Sequence, residues 1–208
     1  MHIHRSLLVA TLTLGALAAA GSAQAATTAG GPAPQVRAAA VPSPFANGSF
    51  ETPAVPAGSY RTYASGQSLG AWTVTTGTVD LIGPGYWAAA NADQSVDLSG
   101  GSMGAVSQTF ATTPGTTYTV SYALAGNTDG GPAVKTGTVL VDGRDVQDFS
   151  FDITGKTHTD MGYANEQFTF LATTPSATLT FASTTASGYG PVLDNVQVQA
   201  TCCKQACS

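Results

Sequence analysis

The sequence predicts an all-β protein built as a sandwich. From Phe45 onward, short runs of β-branched and aromatic residues recur between clusters of Gly, Pro, Asn and Asp. Many short strands with turn signals at this spacing suit two packed sheets. Several runs also alternate with a period of two, and after the first 25 residues no window of helical period reaches useful length.

Taken in order, strands are expected at Ser49–Glu51, Ala71–Thr75, Val79–Ile82, Ser95–Leu98, Ala105–Phe110, Thr117–Ala125, Thr136–Val141, Gln147–Phe151, Glu166–Ala172, Ala177–Ala182 and Leu193–Gln199. In the sixth, Tyr118, Val120, Tyr122 and Leu124 fall on one face and Thr119, Ser121 and Ala123 on the other, because side chains two apart share a face. Phe149 with Phe151, Phe168 with Phe170, and Leu179 with Phe181 repeat the pattern. Thr113-Pro114-Gly115 and Gly130-Gly131-Pro132 punctuate it as turns.

The chain of 208 residues divides into four parts. Residues 1–25 read as a secretory signal: His2, His4 and Arg5 precede an apolar run from Leu7 to Ala20, and Ala23-Gln24-Ala25 is a small-x-small cleavage site. That run is too short and too rich in Ala and Thr for a membrane span, and no later segment is apolar enough. Residues 26–44, rich in Ala, Gly, Thr and Pro, form a flexible linker. Residues 45–200 form one domain, long enough to bury a sizeable core. Residues 201–208 are a tail holding Cys202, Cys203 and Cys207. An odd number of cysteines in a secreted chain leaves one thiol for intermolecular pairing or free reactivity, so the tail reads as a frayed end with one local disulfide or, alternatively, as the link of a disulfide-bonded dimer. A zinc site would need a fourth ligand that the tail lacks.

Charged residues make up 9% of the chain and the formal net charge is −5, or −6 once Arg5 leaves with the signal. Nucleic-acid binding is excluded, since it needs a basic footprint. After the signal a single His remains, His158, with no Gly-x-Ser-x-Gly elbow and no cysteine inside the strands. Triad, thiol and His-based metal catalysis are therefore disfavoured. Glycoside hydrolysis needs only two carboxylates. Asp97, Asp129, Asp152, Asp160 and Glu166 are available, but nothing marks a pair.

Two acidic motifs bracket the domain: Asn47-Gly-Ser-Phe-Glu51 and Gly190-Pro-Val-Leu-Asp-Asn-Val-Gln-Val198. Asp194 has the strand parity of Val196 and Val198, which would put a carboxylate on the apolar face. There it must be paired, hydrogen-bonded or bound to metal. If the first and last strands pair, Glu51 approaches Asp194, and with Asn47 the set suits a hard cation such as calcium. The alternative is that Asp194 caps a turn through backbone N–H groups.

Tyr86 and Trp87 follow Gly83-Pro84-Gly85 at a loop–strand junction. Flat rings there could stack on sugar faces, with Asn127 and Asp129 bonding hydroxyls and Asp160 added from a polar connection. Trp72 alternates with Val74 and reads as core. The segment Phe151–Tyr163 is read as a hydrogen-bonded hairpin connection. Gly155-Lys156-Thr157 lacks the upstream glycine and following helix of a phosphate loop. Asn47-Gly48-Ser49 matches a glycosylation sequon but reads as a turn.

Beyond these motifs, Trp72-Thr-Val74, Val79-Asp-Leu-Ile82, Gln94-Ser-Val-Asp-Leu-Ser-Gly100, Gln108-Thr-Phe110, Ala125-Gly-Asn127 and Asp160-Met-Gly-Tyr163 complete an ordered set. Together they resemble the bacterial choice-of-anchor C family of exported proteins, akin to plant cell-wall proteins of a domain of unknown function. The resemblance spans about Phe45 to Gln199. It implies a galactose-binding-like jelly roll, export, and a C-terminal anchor. No sortase motif or apolar tail follows Gln199, so free secretion is expected in place of anchoring. In similar jelly rolls an N-terminal Glu and a C-terminal Asp hold a structural calcium, which the resemblance transfers to Glu51 and Asp194. The expectation is a secreted, non-catalytic carbohydrate-binding module for cell-wall or extracellular polysaccharide. The alternatives are a structural or adhesive surface protein without a sugar ligand and, less favoured, a glycosidase.

Overall fold

The computed structural model describes residues 44–201. The expected signal, the linker as far as residue 43, and Cys202, Cys203 and Cys207 lie outside the described residues. Twelve strands follow one another: β1 (Tyr60–Ala64), β2 (Ser68–Leu69), β3 (Trp72–Thr76), β4 (Thr78–Ile82), β5 (Ser95–Asp97), β6 (Ala105–Ala111), β7 (Thr117–Gly126), β8 (Val134–Val141), β9 (Arg144–Asp152), β10 (Ala164–Leu171), β11 (Ser176–Ser183) and β12 (Pro191–Ala200). They form two six-stranded sheets, ordered β1-β4-β5-β12-β7-β10 and β2-β3-β6-β11-β8-β9. Neighbouring strands run antiparallel throughout. The fold is the expected all-β sandwich.

Alternation places the core between the sheets. Val120, Tyr122 and Leu124 of β7 are buried in the first sheet, and Leu179 and Phe181 of β11 in the second. The Tyr122 ring meets Phe181 at 5.0 Å and Phe149 at 6.2 Å, joining the two layers edge to face. Trp72 is fully buried and stacks on Phe50 at 5.3 Å.

The structure departs from or adds to the sequence reading at four points. First, Asn47–Glu51 is a turn, not a strand. Asn47 takes a φ of 54°, its carbonyl accepts the Phe50 N–H, and its carboxamide bonds both N–H and C=O of Thr52. Asn and Gly tolerate that backbone where a strand residue does not. The motif still touches the last strand, through Val196 N–H to Gly48 carbonyl at 2.8 Å. Only glycine allows this approach, since a Cβ on Gly48 would lie 1.9 Å from the Val196 carbonyl oxygen.

Second, Asp194 does not share a face with Val198. Leu193 pairs with Leu124 and Val198 with Val120, both inward, whereas Asp194 pairs with Ala123 on the outer face of the sheet. A bulge between Asp194 and Gln197 adds one residue, with Asn195 at φ 48°. One extra residue flips the parity beyond it.

Third, β1 and β2 were not expected. β1 is an edge strand with only Tyr63 buried, and β2 has two residues. Fourth, β8 begins against its hydrophobicity: Val134 is exposed while Lys135 points inward and is fully buried.

Candidate functional site: a cleft on the outer face of the first sheet

The outer face of the first sheet carries most of the polar chemistry. Residues directly opposite on paired strands share a face. The register sets Thr62, Asp80 and Asp97 in one row across β1, β4 and β5, and Tyr60, Ile82 and Ser95 in the next. The segment from Gly83 to Gln94 folds back over this face. It is fixed by Trp87 Nε1 donating to Ser95 Oγ at 2.8 Å and by Ala88 N–H donating to the His158 carbonyl at 2.7 Å. Together with the turns at Gly100–Gly101, Asn127–Asp129 and Gly188–Tyr189, it encloses a cleft of about 300 Å³. That volume is at the small end of ligand clefts.

Aromatic rings form the walls. Tyr60 and Tyr189 are 51% and 43% exposed, so their faces are open to a ligand. Tyr86 stands between Tyr60, 5.8 Å away, and His158, 5.4 Å away. Its hydroxyl donates to Asp129 Oδ2 at 2.9 Å, and Asp129 Oδ1 lies 2.6 Å from His158 Nε2. Burial and the adjacent carboxylate raise the Tyr86 phenol to about 12, so it stays a donor.

Carboxylates form the floor. Asp97 is fully buried and accepts from Ser99 N–H, Gly190 N–H and Asn127 Nδ2. Burial raises its carboxyl to about 7 despite these donors, with the Asp80 charge adding to the shift. Asp80 accepts from Thr62 Oγ1 at 2.5 Å, and burial raises its pKa as well. Asn127 in turn accepts the Asp129 N–H, so the buried Asp97 sets the position of Asp129 through one residue.

Lys135 braces the far wall. Its ammonium donates to the Gly130 and Tyr189 carbonyls at 2.5 and 2.8 Å, tying together the two turns that carry Asp129 and Tyr189. Gly130 then supports the Tyr189 ring, since a Cβ there would lie 2.3 Å from it. An exposed ring held this firmly loses little freedom on binding.

Of the sequence-predicted residues, Tyr86, Trp87, Asn127 and Asp129 all line this cleft. Their roles differ from the expectation. Trp87 is 4% exposed and packs as core, and the buried Asn127 is spent on Asp97 and Asp129. Asp160 lies elsewhere, exposed in a hairpin where it and Thr157 exchange backbone hydrogen bonds. Sequence reasoning missed Tyr60, Tyr189, Asp80 and Lys135. Tyr60 belongs to an edge strand the sequence did not suggest, and Asp80 to an expected strand whose outer face reads as merely polar. Lys135 carried one signal, a cation on the inward parity of Val139 and Val141.

Glu51 and Asp194 do meet, at the backbone of the covering segment. Asp194 accepts the N–H groups of Ala90, Asn91 and Asn195, and Glu51 Oε1 accepts those of Asp93 and Gln94. Burial still raises Asp194 to about 7. As arranged, this donor set does not fit calcium, which takes six to eight oxygens. Five N–H dipoles point their positive ends at the two carboxylates. The Asn47 carbonyl and carboxamide are also engaged, with Trp72 Nε1, Phe50 and Thr52. The same commitment of both Asn47 amide hydrogens, to Thr52 and Leu69 carbonyls, speaks against glycosylation there.

Fold and cleft together define an antiparallel β-sandwich module with an aromatic and carboxylate-lined site on one outer face. The chain belongs to the family described as protein of unknown function DUF642, which matches residues 43–199. It is 27% identical over 162 residues to halomucin of Haloquadratum walsbyi; the match covers 76% of this chain and 2% of that protein's length. Among solved structures it resembles a family 35 carbohydrate-binding module from Clostridium thermocellum, with a TM-score of 0.48 and 14% identity over 69% of this chain and 99% of that one. A CBM22-1 xylan-binding domain from Paenibacillus barcinonensis Xyn10C gives 0.45 and 16%, covering 71% and 96%. Likenesses this distant do not indicate a ligand.

Proposed function

We propose that this chain is a secreted, non-catalytic module that binds a glycan in the cleft between Tyr60 and Tyr189. The carrying observation is the pairing of two exposed tyrosine rings, Tyr189 braced by Lys135 and Gly130 and Tyr60 set edge-on to Tyr86, with the carboxylates of Asp80 and Asp129. Rings of this kind cover the apolar faces of a sugar, and carboxylates accept from its hydroxyls. The small volume suits a chain end or a short segment of polysaccharide. A hydrolytic role is disfavoured because the acid held near 7, Asp97, is sealed at 0% exposure and spends both oxygens on protein donors. Secretion rests on the leader-like residues 1–25, and the choice-of-anchor grouping on the motif set. Among the described residues no helix is long and apolar enough to cross a membrane.

Affinity electrophoresis of residues 44–201 with their flanks intact, in gels containing xylan, galactan or cellulose derivatives, tests the binding. Retardation by at least one polysaccharide is expected, abolished in the Tyr60→Ala/Tyr189→Ala variant. Retardation unaffected by that variant would move the site elsewhere, and no retardation by any glycan would end the proposal.

A further inference from the structure

We infer that the cleft selects glycans by charge: it takes neutral sugar chains and rejects those carrying carboxylate or sulfate groups. Resting on the cleft being the glycan site, this follows from which charges face it. Its lining includes Asp80 and Asp129 and no Lys, Arg or His side chain. The fully buried Asp97 lies directly across the β4–β5 ladder from Asp80, but burial raises it to about 7 and Lys135 faces it, so the repulsion rests on Asp80 and Asp129.

No Lys or Arg among the described residues lines the cleft, although the Lys135 charge is felt at the buried Asp97. The Lys135 ammonium is buried and spent on the Gly130 and Tyr189 carbonyls. Arg61 pairs with Leu81, on the opposite strand face from Tyr60 and Thr62, and lies 5.1 Å over the Tyr63 ring. Arg144 lines a different groove, with Val146 and Leu171. The Lys156 stem packs against Gly162. His158 stands behind Tyr86 with its Nε2 on Asp129, an arrangement that neutralises at most the charge it already contacts.

A neutral sugar finds acceptors here for its hydroxyl protons and rings for its faces. A uronate or sulfate brings a charge that must be desolvated between like charges with no counterion. Specificity of this kind comes from the repulsive element as much as from the attractive one.

Affinity for a neutral chain (xylan or β-1,4-galactan) and an anionic one (polygalacturonate) is measured by isothermal titration at low and high NaCl. The neutral chain is expected to bind at least tenfold tighter at low salt, about 1.4 kcal/mol. Added salt should narrow the ratio by screening the repulsion. In the Asp80→Asn/Asp129→Asn variant, checked for folding by its melting transition, the ratio should also narrow. Polygalacturonate binding as tight as the neutral chain, or a ratio insensitive to both salt and the variant, would overturn charge selection while leaving a glycan site in place. Binding only to a cationic chain such as chitosan would overturn it too, as attraction without sugar recognition. Failure of all chains to bind would instead remove the glycan site itself.

Discussion

Two acidic regions share the outer face of the first sheet and use their carboxylates in opposite ways. At one, Glu51 and Asp194 turn theirs onto the backbone of residues 90–94 and bind that segment down. At the other, Asp80 and Asp129 present theirs to an open cleft, while the buried Asp97 holds the surrounding turns. The first region uses acids as acceptors for backbone, and the second holds them through side chains at the wall of a cleft. What separates the two is the supply of backbone N–H groups. The clasp covers strands with an irregular segment whose donors have no ladder partner, and such donors must be satisfied when covered. At the cleft, the surrounding turns bond one another and Lys135, so the acids there are met by side chains, Asp80 by Thr62 and Asp129 by Tyr86 and His158, and keep part of their acceptor capacity towards the cleft.

The largest expected effect comes from Trp87, which is buried in the covering segment, touches Tyr86 of the cleft wall and is tied to Ser95. Trp87→Ala should destabilise the domain by ~4 kcal/mol, the range for a large buried aromatic, and lower the melting temperature by more than 10 °C on the size scaling for such domains. Tyr189→Ala, in contrast, should leave stability within about 0.5 kcal/mol, as for surface changes generally, and remove glycan retardation. If Trp87→Ala melted like the wild type, the assignment of Trp87 to the core would be wrong, and it would return as a ligand platform.

Next in size is the clasp. Asp194→Ala strands three backbone N–H groups and should destabilise by ~3 kcal/mol, given the loss of charged hydrogen bonds and the desolvated donors left behind. Urea unfolding measures it. Because residues 88–94 also carry the back of the Tyr86 wall, hydrogen exchange should rise there first. Protection lost uniformly across the sheet would contradict a local clasp.

The contrast also shows what was legible in the sequence. The alternating strands β6, β7 and β11 could be read because one face is apolar and the other polar, the situation in which period two carries information. β1 could not: Tyr60, Arg61 and Thr62 are all exposed on an edge, and the Tyr and Thr serve the cleft, not the core. The acidic bracket was conspicuous and its two ends do meet, yet the parity of Asp194 was misjudged, since a bulge of one residue at Asn195 is invisible to alternation. The cleft was half legible. Tyr86 and Asp129 sit in turn-rich segments that advertise loops, whereas Tyr189 gains its role from Lys135, which is 54 residues away in sequence. Long-range bracing of that kind leaves no local pattern to read.

A smaller effect is expected from pH at the cleft floor. Asp97 is raised to about 7 in the fold from an ordinary value of 3.8, chiefly by burial. Between those values the folded state holds the extra proton, so stability should rise as pH falls from 7 towards 5, by at most about 1.4 kcal/mol per unit for one such group. Asp194, raised to about 7 as well, adds to the same slope. The Asp97→Asn variant should lose its share. A wild-type profile that is flat or rises with pH over this window would show that the three donors on Asp97 outweigh its burial.

The smallest expected effect, none at all, separates the clasp from a metal site. If Glu51 and Asp194 are satisfied by the N–H groups of residues 90, 91, 93, 94 and 195, a chelator has nothing to remove. EDTA followed by dialysis should leave the melting temperature unchanged, and added calcium should not raise it. A ligand that binds only the folded state stabilises by mass action, so a resident calcium would betray itself as a drop on chelation that calcium alone restores. That outcome would mean the covering segment swings carbonyl oxygens, not N–H groups, towards the two acids. It would also predict that Asp194→Asn loses the calcium response while keeping most of its hydrogen bonds. The acids of the cleft provide the internal control: Asp80→Asn/Asp129→Asn should leave any such response intact, because those side chains lie in a separate part of the same face.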